Sequence, residues 1–497
     1  MTEGERGTGA VRPTTAEPPG GAGAPSWRRE RRVTSSAAQR ARGRQLDEHG
    51  QTGLLRHCLT TAIEITGRVE TAWLQAGLDH ALARHPALRA TFPAGWEHHV
   101  IRPDLRVRIE ARPVPGGSRE QRWQQAVRFA YEDRMRPFDL ARGPLVRATL
   151  LSTERRRHLL VLSFDQMVID AQSAVVVVRE LVATAHRWAT GDRPPPPTPD
   201  AYVDLRAARR TWLATPEGRE AVRARRAALT GATLGLPWTR MPDRSAPGDL
   251  AHHTVPLPDT VGTRLLRRAR DLRVVPAAPS LAAFGLLLAA AGGHRPDRPD
   301  SAARHALTSL FAAREQPEEQ DVVGWFANAV AVAVPPPRGT VTAYVRAAQR
   351  ELMAALDAQR VSAARLDLPT GDDAGRITAS LLYLPARLSG GDQEQMRIGD
   401  ATARRLAVSF CPTGADLDLL VVEGTPRLTG ERAVLTLGAT SARDRVGRAQ
   451  LTDLVTRWAE ALTALAEVDW DRCQAHDLLE RLPGTPPEPG TPAGGLT

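Results

Sequence analysis

Two carboxylates and a hydroxyl lie within nine residues of one another, at Asp165, Asp170 and Ser173. An apolar run precedes them and a helical pattern follows, which predicts a strand-loop-helix junction. Groups at such a junction are held by the strand and face the N-terminus of the helix. A carboxylate there could accept a proton from an amine if burial raised its pKa. Ser173 is placed to cap the helix, and no nearby histidine would activate it as a nucleophile.

The elements that must hold these residues follow from the apolar pattern. The run His158–Phe164 is almost continuously apolar, as expected of a strand covered on both faces. Downstream, apolar residues recur at helical spacing from Val175 to Trp188. In the second half, Leu281–Ala291 reads as a buried helix that Ser280 would cap, and Ala306–Phe311 as a strand. The pattern therefore predicts a mixed α/β protein.

Composition divides the chain. Residues 1–45 are rich in Gly, Pro, Thr and Arg, which predicts a disordered tail. They carry a net charge of about +5, half of the formal +10 of the chain. The excess of positive charge therefore gives little information about the partners of the folded part. The proline run at 194–197 predicts a stiff connection. We therefore expect a first lobe at 46–193, a connection at 194–204, a second lobe at 205–483 and a disordered tail at 484–497.

Residue counts exclude several kinds of site. All 66 basic residues are arginine, so neither a P-loop lysine nor a Schiff-base lysine exists. Cys58, Cys411 and Cys473 are too scattered for a disulfide framework or a metal site, which favours a reducing cytoplasm. No signal-peptide core is found at the N-terminus, and the longest apolar run is too short for a bilayer.

The junction resembles the active-site segment of the condensation-domain superfamily of nonribosomal peptide synthetases. That family carries two histidines, three variable residues and then Asp-Gly, where this chain has Asp165, Gln166 and Asp170 followed by Ala171. The heterocyclisation branch carries Asp, four variable residues, Asp, two variable residues and Ser. Asp165, Asp170 and Ser173 match that second pattern at every fixed position.

Flanking segments strengthen the resemblance, and they occur in the family's order. They are Arg84–Arg89, Arg136–Leu140, Gly143–Leu145 and Val323–Asn328. The resemblance implies an α/β fold of two chloramphenicol-acetyltransferase-like lobes in a V shape with a central tunnel. It also implies that carrier-bound thioesters enter from opposite faces. No cofactor of the chain's own is expected, because the phosphopantetheine arms would arrive on partner carrier proteins or on a synthetase.

The departures from the family pattern bear on mechanism. Gln166 stands where the second histidine would be, and it can form hydrogen bonds but cannot transfer a proton at neutral pH. A histidine-dependent mechanism is therefore excluded at this position. The second-lobe segment resembles the ordinary branch, whose asparagine it keeps as Asn328.

Each candidate residue has a structural and a functional interpretation. Asp170 would be a buried carboxylate tied to an arginine, with Arg89 as partner by family analogy, or else catalytic. Asp165 would bond the loop amides or line the tunnel. Asn328 would satisfy backbone groups near the lobe interface, and Asp416 would form a turn or reach the tunnel mouth. The pairs His98-His99 and His252-His253 are expected at the surface.

Three functions remain open. The first is a free-standing enzyme that joins an acyl or peptidyl thioester to an amine, with Asp165 and Gln166 orienting the nucleophile and Asp170 supporting the loop. Amide formation and heterocyclisation are close rivals within it. The second is a catalytically inactive module that recruits carriers or tailoring enzymes. The third is a nucleic-acid binder using the N-terminal arginines, which loss of residues 1–45 would abolish.

Overall fold

The computed structural model describes residues 30–49, 58–93, 95–236, 250–292, 304–366, 377–389, 395–407, 415–424, 434–442 and 446–482. Its strands are β1 (Arg31–Thr34), β2 (Cys58–Thr66), β3 (Ala90–Thr91), β4 (His98–Ile101), β5 (Ile109–Pro113), β6 (Val146–Glu154), β7 (Arg157–Asp165), β8 (Leu250–Pro256), β9 (His305–Phe311), β10 (Asn328–Val334), β11 (Ala379–Leu384), β12 (Met396–Ile398), β13 (Ala401–Ala407), β14 (Leu417–Glu423) and β15 (Leu435–Ala442). Its helices are α1 (Ala37–His49), α2 (Thr71–Arg84), α3 (Arg119–Arg134), α4 (Ala171–Ala189), α5 (Tyr202–Leu213), α6 (Pro216–Ala228), α7 (Asp259–Leu272), α8 (Ala277–Ala291), α9 (Val341–Asp357), α10 (Ala386–Ser389) and α11 (Arg448–Glu467).

The first of two six-stranded sheets has the order β12-β13-β2-β7-β6-β5. β7 lies near its centre, antiparallel to both β2 and β6. Alternate residues of β7 enter different cores: Leu160 and Leu162 pack in a cluster with α2 and α4, whereas Leu159 and Val161 pack in one with α3. Both faces of β7 are therefore covered, which confirms the prediction from its continuous apolar run.

The second sheet has the order β10-β9-β11-β14-β15-β8, and its core contains α7, α8, α9 and α11. Ser280 is wrong as a cap, because α8 begins at Ala277 and Ser280 is buried inside the helix. Pro279 falls in the first turn, where proline is tolerated.

Within the described ranges no single helix is both long and apolar enough to cross a membrane. α7 and α8 meet that test only as a pair bent by 111°.

The predicted second lobe, 205–483, needs a correction. β13 pairs antiparallel with β2, and β12 pairs with β13, so residues 396–407 belong to the first sheet. The physical reason is that β2 would otherwise be an edge strand with unpaired backbone groups. The chain therefore crosses from the first sheet to the second and then returns two strands to the first.

The predicted disorder of residues 1–45 is wrong for its last sixteen positions. β1 pairs antiparallel with β4 in a three-stranded sheet of order β1-β4-β3. α1 follows, and Ser36 and Gln39 cap it reciprocally: each side chain accepts a hydrogen bond from the other's amide, at 2.9 and 2.7 Å. Residues 1–29 and the predicted tail 484–497 lie outside the described residues.

Candidate functional site

Two turns, each capped by an aspartate, form the junction between β7 and α4. Asp165 Oδ1 accepts a hydrogen bond from the Met167 amide at 2.8 Å, which closes a short 3-10 turn. Asp170 Oδ1 accepts one from the Ser173 amide at 2.9 Å, at the start of α4. The cap of this helix is therefore Asp170. Ser173 was the wrong choice because it already lies in the first helical turn.

Asp170 joins the two lobes. Its Oδ2 accepts hydrogen bonds from Arg314 Nη1 and from the amides of Phe326 and Ala327, each at 2.9 Å. Its Oδ1 accepts a second bond from Arg314, at 3.2 Å, besides the capping bond from Ser173. Five donors fill the roughly four lone-pair sites of a carboxylate. This geometry favours the structural interpretation of Asp170 and leaves little capacity to contact a substrate.

The charge of Asp170 is set by its partner in the second lobe. Burial alone would raise the pKa of this carboxyl, but the Arg314 guanidinium and the Ser173 bonds hold the pKa below its ordinary value. Both side chains of the pair are almost completely buried. Asp170 is consequently anionic at neutral pH and fully neutralised, as expected of a stable buried pair.

The expected partnership of Arg89 with Asp170 is wrong. Its Nε donates to the Leu82 carbonyl at 2.8 Å and its Nη1 to the Arg102 carbonyl at 3.3 Å. Arg89 therefore holds the end of α2 against the strand β4 that precedes Arg102. Only the folded chain brings Arg314, 144 positions away, to Asp170.

Ser173 serves the same inter-lobe junction. Its Oγ donates to the Gly324 carbonyl at 3.0 Å and accepts from the Gly324 amide at 3.1 Å. Arg314 Nη2 also donates to it, at 2.6 Å. A hydroxyl so occupied, with no histidine among these partners, is a structural group rather than a nucleophile.

Asp165 is paired with a residue that the sequence interpretation missed. Arg42 Nη2, from α1, donates to Asp165 Oδ2 at 3.0 Å, and both side chains are at most 3% exposed. Burial raises the pKa of Asp165, and the Arg42 guanidinium opposes that rise. Gln39 of the same helix donates to the Met167 carbonyl at 2.7 Å. α1 therefore lies against the junction loop.

A sequence signal for α1 does exist. Ser36 and Gln39 have the Ser-x-x-Gln spacing of a capping box, which marks a helix start. The composition of residues 1–45, rich in arginine and glycine, favours disorder and so conflicts with that signal. The pairing of Arg42 with Asp165 could not have been found in the sequence, because the two residues are 123 positions apart.

Gln166 differs from its neighbours in exposure. Asp165, Met167, Val168 and Asp170 are all buried, whereas Gln166 is partly exposed. An amide side chain can both donate and accept hydrogen bonds, but it does not titrate near neutral pH. Within the loop, Gln166 is therefore the polar side chain best placed to meet a substrate.

His85, in one of the family-like segments, links three parts of the chain. Its Nε2 and Nδ1 lie 2.7 Å from carboxylate oxygens of Glu180 in α4 and Asp200 in the connection. Burial lowers the pKa of His85, but the bonds to both carboxylates outweigh it and raise the pKa above its ordinary value. Asp200 also accepts from the Val323 amide at 3.0 Å, which extends the contact to the second lobe.

His99 corrects the expectation that the histidine pairs lie at the surface. Its side chain is completely buried, and its Nε2 lies 3.0 Å from the Tyr202 hydroxyl. Burial lowers the pKa of His99 to about 3, so the ring is neutral. His252, in the other pair, is exposed as expected and lies 2.9 Å from the Thr440 hydroxyl.

The two remaining candidates belong to the second sheet. Asn328 begins β10 and donates to the Gln359 carbonyl at 2.8 Å, so it satisfies a backbone group as predicted. Asp416 is buried just before β14, and its backbone carbonyl accepts a hydrogen bond from Ser441 Oγ at 2.6 Å. The side chain of Asn328 therefore has a structural role within the second lobe, whereas the contact at Asp416 is made by its backbone, and the role of its side chain stays a prediction.

Comparison with known proteins identifies the family of this chain. Residues 45–377 match the model of the condensation domain. The chain is 35% identical to a component of the linear gramicidin synthase of Brevibacillus parabrevis over 155 residues, which is 31% of this chain and 2% of that protein. It is 30% identical to phosphinothricin tripeptide synthetase PhsC of Streptomyces viridochromogenes over 285 residues, 56% of this chain and 25% of that protein. The chain thus spans a quarter or less of these relatives' length.

Solved structures agree on the fold. The first condensation domain of the calcium-dependent antibiotic synthetase, bound to a substrate analogue, superposes with a TM-score of 0.71 at 17% identity, covering 90% of this chain and 98% of that one. The X-domain from teicoplanin biosynthesis gives a TM-score of 0.69 at 19% identity, covering 88% and 96%. The predicted fold class, two chloramphenicol-acetyltransferase-like α/β lobes, is confirmed.

Proposed function

The chain belongs to the condensation-domain family, and from this we propose that it is an amide-forming enzyme of nonribosomal peptide biosynthesis. Its substrates would be an acyl or peptidyl thioester on one carrier protein and an amine on a second carrier. The observation that carries the proposal is the junction loop. Its two aspartates are buried and bonded, which fixes the loop between the lobes, while Gln166 remains partly exposed.

The proposed reaction depends on positioning. The amine nitrogen attacks the thioester carbonyl carbon, a C–N bond forms and the C–S bond breaks. The proton that nitrogen loses goes to the departing thiolate. Holding two tethered reactants together replaces a bimolecular encounter, which can supply much of the rate without a general base. Gln166 would orient the amine by accepting a hydrogen bond from it.

Amide formation is favoured over heterocyclisation. Closing a Cys, Ser or Thr side chain onto the new amide and removing water requires proton transfers to and from the ring. Both carboxylate oxygens of Asp165 already accept hydrogen bonds, one from Arg42 and the other from the Met167 amide. Asp170 is saturated by Arg314 and backbone amides. The Asp-x₄-Asp-x₂-Ser pattern then serves to build the junction.

A second candidate is a catalytically inactive condensation-like module that recruits carrier proteins or tailoring enzymes. The structural likeness to the X-domain supports it, because one such neighbour is a complex of the X-domain with OxyB from teicoplanin biosynthesis. The ion pair that encloses Asp165 and the absence of a histidine at positions 165 and 166 also favour it. Under this alternative the lobes would present a docking surface to a carrier or a tailoring enzyme.

A single-turnover assay by intact-protein mass spectrometry separates these functions. Acyl- and aminoacyl-loaded carrier proteins, taken from genes that neighbour this one, are mixed with the protein and with its Gln166→Leu variant. Joined product on the acceptor carrier, slowed at least tenfold by Gln166→Leu, supports amide formation. A further loss of one water would assign heterocyclisation instead. Carrier binding with no product from any loaded pair would support the recruitment module.

A further inference from the structure

A cavity of about 500 Å³ opens to solvent in the first lobe, where three elements meet: the start of α2, the end of α4 and the turn between β12 and β13. Its walls include Arg68 and Glu70 just before α2, Trp73 of α2, His186 of α4, and Arg397 and Asp400 of the hairpin. The junction with β7 lies at the opposite end of α4, whose 19 residues extend about 28 Å at the α-helical rise. The cavity is therefore separate from the proposed reaction site.

The turn that forms one wall of this cavity is fixed against α4. Gly399 and Asp400 alone connect β12 to β13. Gly399 has a φ of 58°, and a Cβ added to it would stand 3.2 Å from the Ala189 Cβ, so this position favours glycine. The Gly399 amide donates to His186 Nδ1 at 3.1 Å. A neutral His186 ring therefore carries its proton on Nε2, where it can donate to a ligand.

The charged side chains of the cavity balance one another. Arg68 and Glu70 form an exposed ion pair at 3.1 Å. Arg397 and Asp400 are also exposed, but in the described part of the chain neither of them takes part in an ion pair. Two cations and two anions leave no net charge, so the cavity does not favour a phosphate or a simple cation. A ligand with one positive and one negative group can bind both unpaired charges at once.

Trp73 adds an apolar surface to this pattern of charges. Its side chain packs against the core of the first lobe, is only partly buried and lines the cavity. An indole ring binds apolar and aromatic groups, and its N–H can donate a hydrogen bond. The cavity volume lies within the range of ordinary small-molecule sites, which is about 300–1,000 Å³. The cavity therefore has room for a zwitterion that carries an apolar side chain.

We propose that this cavity binds a free α-amino acid with an apolar or aromatic side chain. The ligand carboxylate pairs with Arg397 and accepts a hydrogen bond from His186 Nε2, the ligand ammonium pairs with Asp400, and the ligand side chain packs on Trp73. Both ion pairs are charge-assisted, which makes them stronger than neutral hydrogen bonds. The bound amino acid would bridge α4 and the β12–β13 hairpin. This site goes beyond the proposed function, because its ligand is not the carrier-bound substrate.

Calorimetric titration with L-phenylalanine, L-leucine and L-valine tests this site. Each amino acid is compared with its N-acetyl derivative and its amide, which each lack one of the two charges. At least one free amino acid should bind about tenfold more tightly than both of its derivatives. Arg397→Gln should remove the preference over the amide, and Asp400→Asn the preference over the N-acetyl form. Arg128→Gln removes an exposed arginine of α3, on the opposite face of the first sheet, and should change neither preference.

Three results would overturn the proposal. The first is that none of the three amino acids binds at millimolar concentration. The second is equal affinity for the free and blocked forms, which would show that the charges are not recognised. The third is binding that persists in both Arg397→Gln and Asp400→Asn, which would place the ligand at another site.

Two controls separate this proposal from folding and from the proposed function. Arg397 and Asp400 are exposed, so neither substitution should change the melting temperature of the ligand-free protein. The single-turnover rate of both variants should equal that of the wild type, because the cavity and the junction lie at opposite ends of α4. A wild type that binds the amino acid without forming amide product would contradict the proposed function alone.

Discussion

At the residue scale, the two aspartates of the junction are both structural in their contacts but differ in their partners. Asp170 bonds the second lobe through Arg314, whereas Asp165 bonds α1 through Arg42. Their spacing, which resembles a heterocyclisation motif, is explained by two consecutive capped turns. Gln166 is consequently the loop residue whose substitution should affect chemistry with the least effect on folding.

Breaking the Asp170–Arg314 pair should destabilise the protein by about 3–5 kcal/mol, because Asp170→Ala leaves a buried guanidinium without a counter-ion. Equilibrium unfolding in guanidinium chloride measures this. Asp321→Ala is the matched control, since Asp321 also bridges the lobes, to Arg179 at 2.6 Å, but both side chains are more than half exposed. The control should cost at most about 1 kcal/mol. Equal effects of the two variants would contradict the assigned role of Asp170.

His85 should make stability depend on pH. Its folded-state pKa is raised above the ordinary 6.5, so the folded protein holds the proton more tightly than the unfolded chain. The resulting stability is fully present below about pH 6.5 and is lost as the pH rises through the raised pKa. Melting temperatures measured from about pH 6 to pH 9 should fall more steeply for the wild type than for His85→Gln. Parallel curves would show that His85 does not titrate in this range.

At the element scale, α1 lies in a segment whose composition predicts disorder. It presents Gln39 and Arg42 to the junction, and Gly43 lets it pack closely, because a Cβ there would overlap the Trp96 ring. Few of its residues are apolar, so tertiary contacts rather than a hydrophobic stripe hold it in place. The pairing of Arg42 with Asp165 also weakens the interpretation of the N-terminal arginines as a nucleic-acid tail.

Two truncations separate the tail from α1. Removing residues 1–29 should leave the melting temperature and the single-turnover rate unchanged, because their Gly-, Pro- and Arg-rich composition predicts a disordered tail. Removing residues 1–49 should lower the melting temperature markedly, since Asp165 would lose its cation. Differential scanning calorimetry measures both. If the longer truncation melted like the wild type, α1 would not support the junction.

At the scale of the whole molecule, the two lobes are interlocked. The second half of the chain returns β12 and β13 to the first sheet, and Glu64 of β2 bonds both Arg157 of β7 and Arg404 of β13. Asp170, Ser173 and Asp200 then tie the first lobe to residues 314–327. Lobe separation would therefore break a sheet as well as an interface.

A fragment of residues 30–236 should not fold by itself. Without β13, β2 becomes a bare edge strand, and without residues 314–327 the carboxylate of Asp170 loses Arg314 and the amides of Phe326 and Ala327. We expect this fragment to aggregate or to unfold without a cooperative transition, as measured by circular dichroism during heating. The full chain should unfold in one cooperative step. A cooperative transition in the fragment would show that the first lobe is independent.

The sequence by itself determined the strand-loop-helix order of the junction and the family resemblance. The continuous apolar run of β7 indicated a strand buried on both faces, and the loop after it placed Asp165, Gln166 and Asp170 between that strand and a helix. Segments before and after the junction, in the order found in the family, carried the family resemblance.

Tertiary structure alone decided which partners these residues bind. The partners Arg42 and Arg314 lie 123 and 144 positions away in the chain. The return of β13 to β2 joins segments that are farther apart still. Periodicity and capping act over a few residues, whereas charge neutralisation and sheet closure depend on which distant segments the folded core brings together.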